Sequence, residues 1–581
     1  MNAVVDKLGP ARGSTRGSMY DTQRTRCAIA ALLLLFALLY VLPLGMRPLH
    51  SPDEVRYGAI SHEMIESGDW VSPRFNGVRY FEKPVLGYWL YSASLAVFGE
   101  NAFALRLPAA LATALTALIV FAFAHRFASP SIAGLATAIY LTTFSVAGAG
   151  TYASLDAFFA LFLTGTLASY YCALREPHSR RRYGYLALCG AACAAAFLVK
   201  GFLAFAIAVI VAATFLVARR RWCTLFGSPW VPLAVAVVLV LPWAVMIHLR
   251  ESDFWRYFFW VEHIQRFMGE DAQHAQPFWF YFAWLPLGAW PWLLLLPAAL
   301  SGLRLPGRHD RDFLWYLATW AIAPLVFLSL SRGKLPPYLL PCFAPLAILL
   351  ATGLQTYLGH ISHTCAGGGR AFRLGASAVA GVFIAIVAAV AAAQAGAFGD
   401  APYAPDETGK LAAFAACMAA GAACAISAGF ARAPVAKLAA IAGTGATLLL
   451  PLHVALPQRL LEHSTLATAV ARHAAGPDAA IGPHTALVSD GSLFGTLAWQ
   501  LKRDDIHVLD PGEIKYGLSW PESRHRWLDR AGLEHLIETH HGRGGILIVC
   551  KHKCASHVEK TWLPPTARRS QHGLVVFWRI Q

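Results

Sequence analysis

The sequence predicts a polytopic α-helical membrane protein with a soluble α/β domain at its C-terminal end. Three observations carry that prediction. Of its 581 residues, 57% are hydrophobic and only 14% charged, with mean hydropathy +0.48, whereas soluble globular chains carry roughly 25% charged residues. Apolar runs of about 20 residues, each able to cross a hydrocarbon core of roughly 30 Å, recur from Cys27 to Leu456. Beyond Pro457 these runs end, and short β-type stretches alternate with helical ones.

Taken in order, residues 1–26 form a basic cytoplasmic tail. The first apolar run has a signal-like leader, but Pro43-Leu-Gly-Met-Arg47 offers no small-residue cleavage site, so it reads as a retained helix. The candidate spans are residues 27–46, 102–124, 132–150, 153–174, 184–199, 201–218, 229–248, 278–300, 313–330, 337–357, 373–396, 410–429 and 434–456, about thirteen in all. With the N-terminus inside, the inner connections hold Arg175, Arg180, Arg181 and Arg182; Arg219 to Arg221; Arg304, Arg308 and Arg311; Arg370 and Arg373; Arg432 and Lys437. That is the cationic bias expected of cytoplasmic loops. Residues 85–98 are apolar but short for a span, and counting them would invert every later basic loop. They read as an interfacial helix.

Two long outer connections, 47–101 and 250–277, mix charges with aromatics, as interfacial segments do. The chemistry is therefore expected on the outer side. Residues 457–581 form the soluble domain, with strands expected at 486–489, 506–509, 545–549 and 573–580 and a helix at 493–501.

The net charge of +15 lies in clusters between apolar runs and forms no basic face, so topology accounts for it and no nucleic-acid partner is expected. The eleven cysteines show no CxxC pair, which excludes a zinc finger and a disulfide framework. Cys550 and Cys554 could be a disulfide or two packed thiols.

The candidate site residues follow the outer loops. Ser51-Pro52-Asp53-Glu54 reads as a capping box, with Ser51 as N-cap, Pro52 at the first helical position and Glu54 closing the box. The box does not need the Asp53 carboxylate, which leaves a catalytic role open. Arg79-Tyr80-Phe81-Glu82-Lys83-Pro84 is either a solvated turn or a cation between aromatics suited to a phosphate headgroup. Asp156 and Lys200 stand near the outer ends of apolar helices, where ionisable residues are costly and a functional reading is the default. Glu262-His263-Ile264-Gln265-Arg266 and Lys334-Leu-Pro-Pro-Tyr338 add cations on the same side, and no HExxH-type metal spacing is present.

Read together, SPDEVRYG, YFEKPVLGYWL, ENAFALRLP, SLDAFFALF, LVKG and GKLPPYLLP form an ordered set. Over residues 25–350 this set resembles the GT-C glycosyltransferases related to the protein O-mannosyltransferases. Within them it is similar to the lipid A 4-amino-4-deoxy-L-arabinose transferases. The resemblance implies a GT-C fold and an inverting transfer of the aminosugar from undecaprenyl phosphate to a lipid A phosphate. The reaction would occur at the periplasmic face of a bacterial inner membrane and confer polymyxin resistance. It implies Asp53 and Asp156 as catalytic acids. Glu54, Arg56, Tyr80, Lys83, Lys200, Arg266, Lys334 and Tyr338 would bind substrate, with Lys83 and Arg266 on the carrier phosphate. No cofactor is required, although a divalent cation such as zinc could sit near Glu82 and His263. Membrane lipids are the surroundings and a monomer is expected. Another polyprenyl-phosphate-sugar transferase, such as a protein mannosyltransferase, is the alternative reading. A lipid flippase is a third, which the gathering of charges in outer loops rather than at mid-membrane helix breaks argues against.

Overall fold

The structure, a computed structural model, describes residues 30–265, 275–305, 309–364, 369–464, 466–474, 481–540, 545–551, 554, 562–563, 567–572 and 574–580. Among the described residues, nine helices are long and apolar enough to cross a membrane, and up to eleven spans result if each of two bent pairs counts as one. The predicted thirteen also include Ala30–Gly45 and Leu203–Ala218, which are apolar but shorter than that test allows. Leu86–Phe98 forms a helix of 13 residues, too short to span. It buries Tyr88, Tyr91, Ser92 and Leu95 and exposes Val97 and Phe98.

Sequence dictates which face each span turns inward. In Ala102–Phe127 the small residues Ala109, Ala112, Thr113, Thr116 and Ala117 are buried, while Leu111, Leu115 and Leu118 are exposed. Lipid is as apolar as leucine, so packing between membrane helices is driven by close fit and favours small residues. The closest crossing joins Leu296–Arg304 to Leu340–Thr364. A Cβ on Gly302 would stand 1.9 Å from the Gly353 carbonyl oxygen, and one on Gly353 would stand 2.2 Å from the Ala299 oxygen.

Two segments predicted as single spans are broken. Pro130–Leu141 and Phe144–Gly150 meet at 66°, and Phe280–Gly288 and Trp292–Arg304 meet at 92°. Thr142 and Thr143 turn their hydroxyls back onto the Ala138 and Ile139 carbonyls, and Pro291 has no N–H with which to continue the second helix. The freed groups find each other. Phe144 N donates to the Trp290 carbonyl at 3.0 Å, and the buried Trp292 Nε1 donates to Thr142 Oγ1 at 2.9 Å. Breaks inside a bilayer are tolerated only when neighbours satisfy the backbone in this way.

The first outer loop folds into the helix Asp53–Ser67 and a hairpin, β1 (Arg74–Phe75) with β2 (Val78–Arg79). Its turn, Asn76-Gly77, has φ of 58° and 70°, the left-handed pair that an Asn-Gly hairpin favours. Glu63 accepts both turn amides, Asn76 N at 2.5 Å and Gly77 N at 2.9 Å. The Asn76 side chain then pairs with both backbone groups of Ile506, at 2.7 and 3.0 Å.

The C-terminal sheet comprises β3 (Ala486–Ser489), β4 (His507–Val508), β5 (Ile546–Lys551), β6 (Arg568–His572) and β7 (Val575–Ile580), in the order β4-β3-β5-β7-β6. β3 is parallel to β4 and β5, and β7 is antiparallel to β5 and β6. Side chains alternate between two cores. Leu487, Leu547, Val549, Val575 and Phe577 join the core continuous with the membrane helices through Phe494–Leu501. Val488, Ile546, Ile548, Cys550, Val576 and Trp578 face a second core beneath Arg530–His540. The Arg568–His572 edge strand was not expected, since its charged residues suit an exposed edge but carry no apolar alternation.

Replacing Gly302 by Val should therefore force the crossing helices apart. We expect lower yield and a reduced thermal midpoint in detergent, equivalent to about 1–3 kcal/mol of overpacking; an unchanged midpoint would contradict the close crossing.

Candidate active site

The site begins with an arginine one turn into a membrane helix. Asn101 caps Ala102–Phe127 by accepting from Ala104 N at 2.9 Å, which sets Arg106 at the end of that helix beneath the first outer loop. Arg106 is fully buried and uses all five of its N–H groups. Nε and Nη2 donate to Glu54 Oε1 and Oε2, each at 2.6 Å. The others reach the carbonyls of Leu44, Arg47 and Pro48 at 2.7–2.8 Å. Glu54, also fully buried, further accepts from Arg47 Nη1 at 3.1 Å, His50 N at 2.7 Å and Ala153 N at 2.9 Å. Burial alone would push its carboxyl up; Arg106, Arg47 and the Ala153 amide outweigh this and hold it below the usual range. This corrects two expectations. No side chain caps the helix, whose N-cap is Pro52, and Glu54 has no surface to offer a substrate.

Successive helical residues diverge by about 100°, so an inward Glu54 turns Asp53 to the rim, with its side chain 46% exposed. Arg56, on the same face, places Nη2 2.5 Å from Asp53 Oδ1 and pairs through Nη1 with Glu513 of the soluble domain. Tyr152 donates to Asp53 Oδ2 at a long 3.4 Å. Opposite, the chain leaving β2 buries Tyr80 and Phe81 and presents Lys83, whose ammonium pairs with Glu262 and the Glu82 carbonyl. Burial, reinforced by the charge on Glu262, pushes the Glu82 carboxyl up. A third pair closes the ring. Asp156 opens its helix and Lys200 ends its own, where helix dipoles favour each charge. They meet at 2.5 Å, with Lys200 Nζ 4.7 Å from the Tyr338 ring centre.

Buried tyrosines connect the pairs. Tyr57 feels the charges of Arg56, Asp53 and Asp156; Tyr80 feels those of Arg56, Glu82 and Glu513. Burial pushes both phenols up, so they stay neutral donors. Two buried donors at this place, Arg56 Nε and Tyr88 Oη, have no acceptor among the described residues. Each cation thus faces a carboxylate, and two donors stand without an acceptor among the described residues.

The structure brings together Asp53, Arg56, Tyr80, Lys83, Asp156, Lys200 and Tyr338 as expected from the sequence. It places Lys334 differently: nearly fully buried, its ammonium holds the Gln276 carbonyl at 2.9 Å and that of Ser331, tying its own loop to the end of the 250–277 connection. His263 turns Nδ1 to the Phe258 carbonyl at 2.6 Å and packs between Phe202 and Phe258. A divalent ion at Glu82 and His263 finds no third ligand among the described residues. Arg266 lies outside the described residues.

The comparisons with known proteins cover both halves of this assembly. Residues 27–258 match the family described as dolichyl-phosphate-mannose-protein mannosyltransferase, and residues 475–579 match the C-terminal domain of the arabinosyl transferase ArnT. The undecaprenyl phosphate-alpha-4-amino-4-deoxy-L-arabinose arabinosyl transferase of Edwardsiella ictaluri is 40% identical over 525 residues, 89% of this chain and 92% of that protein. The chain belongs to this arabinosyl transferase family. The Pseudomonas aeruginosa member is 37% identical over 560 residues, 96% of this chain and 98% of its own. The crystal structure of ArnT from Cupriavidus metallidurans bound to undecaprenyl phosphate superposes with a TM-score of 0.78 at 23% identity, covering 96% of this chain and 98% of that one. The fold is thus the GT-C fold of ArnT.

Within this arabinosyl transferase fold, sequence reasoning missed Arg106, Tyr88, Glu262 and Glu513. Arg106 carried a signal, since a cation in the first turn of an apolar helix demands a partner. Glu513 carried none, because 457 residues separate it from Arg56.

Glu54→Gln should leave Arg106 buried without its counter-ion, a loss of about 3–5 kcal/mol. Fluorescence-detected size exclusion after a heat ramp should show a strongly lowered midpoint, whereas an unchanged one would remove the pair from its anchoring role.

Proposed function

We propose that this chain transfers 4-amino-4-deoxy-L-arabinose from undecaprenyl phosphate to a phosphate of lipid A at the periplasmic face of the bacterial inner membrane, conferring resistance to polymyxin and related cationic peptides. The reading rests on one observation above all. Three cation–carboxylate pairs, one within a helix and two between distant segments, surround buried tyrosines at one end of the helix bundle, beside two donors without acceptors among the described residues. The names of relatives at 37–40% identity over most of the chain support the sugar and the carrier.

In this scheme the bond from sugar C1 to the carrier phosphate oxygen breaks while a lipid A phosphate oxygen attacks C1 from the opposite face, inverting the centre. Negative charge develops on the leaving phosphate. Lys83, with Arg56 beside it, meets that charge, and fixed cations in a water-poor site lower such barriers strongly. Glu262 is displaced from Lys83 as the phosphate enters, and a carboxyl pushed up at Glu82 avoids a second repelling charge. Asp53, on the exposed rim, orients the acceptor phosphate or takes its last proton; that acceptor is already anionic near neutral pH, so neither a strong base nor a cofactor is required. Asp156, held by Lys200, faces the ammonium of the aminosugar. The N-terminus lies in the cytoplasm, residues 457–581 form the periplasmic domain, and the enzyme works as a monomer.

Asp53→Asn is the sharpest probe. It should insert and fold normally yet lower lipid A modification by about 10²-fold or more, read by mass spectrometry of lipid A from a complemented deletion strain. A role at the helix end alone would shift stability by about 0.3–1 kcal/mol and leave modification intact, which would refute the assignment. Glu513→Gln should keep the thermal midpoint within about 1 kcal/mol, as partly exposed pairs do, while slowing transfer by loosening Arg56. Full turnover in that variant would detach the soluble domain from the site.

A further inference from the structure

The soluble domain carries a second cluster that the transfer reaction does not use. From β3 the chain moves to β4 on one side, and it later returns to place β5 on the other. The strand order therefore reverses at β3, and in open α/β sheets such a reversal opens a crevice beyond the carboxyl ends of the strands where ligands bind. Asp490 immediately follows β3, Cys550 is the penultimate residue of β5, and Cys554 comes four residues later. In the parallel register Ser489 pairs with Val549, so Asp490 and Cys550 stand side by side. One ligand atom from each of Asp490, Cys550 and Cys554 lies within 4.8 Å of the other two.

Each member is oriented. Asp490 is 5% exposed, and its carboxylate is held by Ser492 N at 2.9 Å and Ser492 Oγ at 2.7 Å on one oxygen and by Lys551 N at 2.6 Å on the other. It makes no ion pair among the described residues. Cys550 is fully buried and Cys554 half-buried. A nearly buried carboxylate directed at two sulfurs without a cation is an expensive arrangement, and a disulfide would leave that charge unbalanced.

We propose that Asp490, Cys550 and Cys554 form a binding site for a thiophilic divalent cation of the zinc class. Binding releases one proton from each thiol to solvent, and the ion takes two thiolates and one Asp490 oxygen, leaving a fourth position for water. Tetrahedral zinc with bonds of about 2.3 Å to sulfur sets its sulfur ligands roughly 3.8 Å apart, within the 4.8 Å that bounds the three ligand atoms. Two thiolates select zinc over magnesium or calcium, and the donors to Asp490 supply the second layer that orients a metal-bound carboxylate. Cys550 belongs to the core on the sheet face turned away from the first outer loop, so the ion would lock β5 and Cys554 to the end of β3 without touching the transferred sugar.

The test uses the full-length protein, reduced and purified in detergent, titrated with Co²⁺ as a spectroscopic stand-in and then with Zn²⁺. A near-ultraviolet thiolate-to-cobalt band saturating at one equivalent and displaced by zinc is the expected result. The band should vanish in Cys554→Ser, and Asp490→Asn should weaken binding about tenfold or more. Cys554 is half-exposed, so its serine variant keeps the test decisive even where Cys550→Ser fails to fold. No band, a band undiminished in Cys554→Ser, or native protein isolated with Cys550 and Cys554 joined as a disulfide would each overturn the proposal.

Discussion

Everything at the outer end of this bundle depends on the bidentate pair between Arg106 and Glu54. A guanidinium removed from water must find acceptors for five N–H groups, and it finds them all within one turn of chain and one carboxylate. The exit of the first membrane helix, the start of the first outer helix and the strand of chain before Asp156 converge on that point. Buried ion pairs contribute little net stability over apolar packing, and their better-attested role is to specify one arrangement. Here the arrangement specified is the direction of Asp53, because its neighbour in sequence has only one way to face.

The same logic, at lower burial, joins the soluble domain to the membrane part. Asn76 pairs with Ile506, Arg79 with Glu522, Tyr516 with Asp253, Lys502 with Glu100, and Arg56 with Glu513. Phe75 against Phe494, ring centres 4.6 Å apart, adds apolar contact. These contacts fix the hairpin and the loop that carries Tyr80 to Lys83. The rim of the site is therefore composite: membrane helices supply Asp156 and Lys200, the outer loop supplies Asp53 and Lys83, and the distal domain steadies Arg56.

The spans and the split into two parts were legible because lipid imposes a compositional rule on every residue of a span. Residues 85–98 were also read as too short to span, from length. The two helix breaks were not legible, since Thr142-Thr143 and Trp290-Pro291 are ordinary inside apolar runs until each supplies the other's missing partner. Ser51 to Glu54 was read locally as a cap, and locally the pattern is sound; a cation 52 residues away claims the carboxylate instead. Asp53, Lys83, Asp156 and Lys200 were visible as charges out of place. Glu262, the counter-ion of Lys83, and Glu513, that of Arg56, were not, because a carboxylate in a polar segment looks unremarkable until folding sets it beside a cation. Lys334 shows the converse: it looked like a ligand cation and its ammonium is held by the carbonyls of Ser331 and Gln276.

The length of chain between Arg56 and Glu513 also bears on biogenesis. Glu54 and Arg106 emerge within 52 residues of each other, so the anchor beneath Asp53 can form while most helices are still inside the ribosome. Glu513 follows Arg56 by 457 residues, a delay of roughly 20–90 s at ordinary rates of synthesis. Until then the nascent protein holds a half-site whose arginine has Asp53 and the Tyr57 ring but not Glu513. Completion of the rim is thus coupled to synthesis and folding of the last domain, and a chain that stalls or is clipped beforehand stays in the membrane with its anchor formed and its rim unfinished.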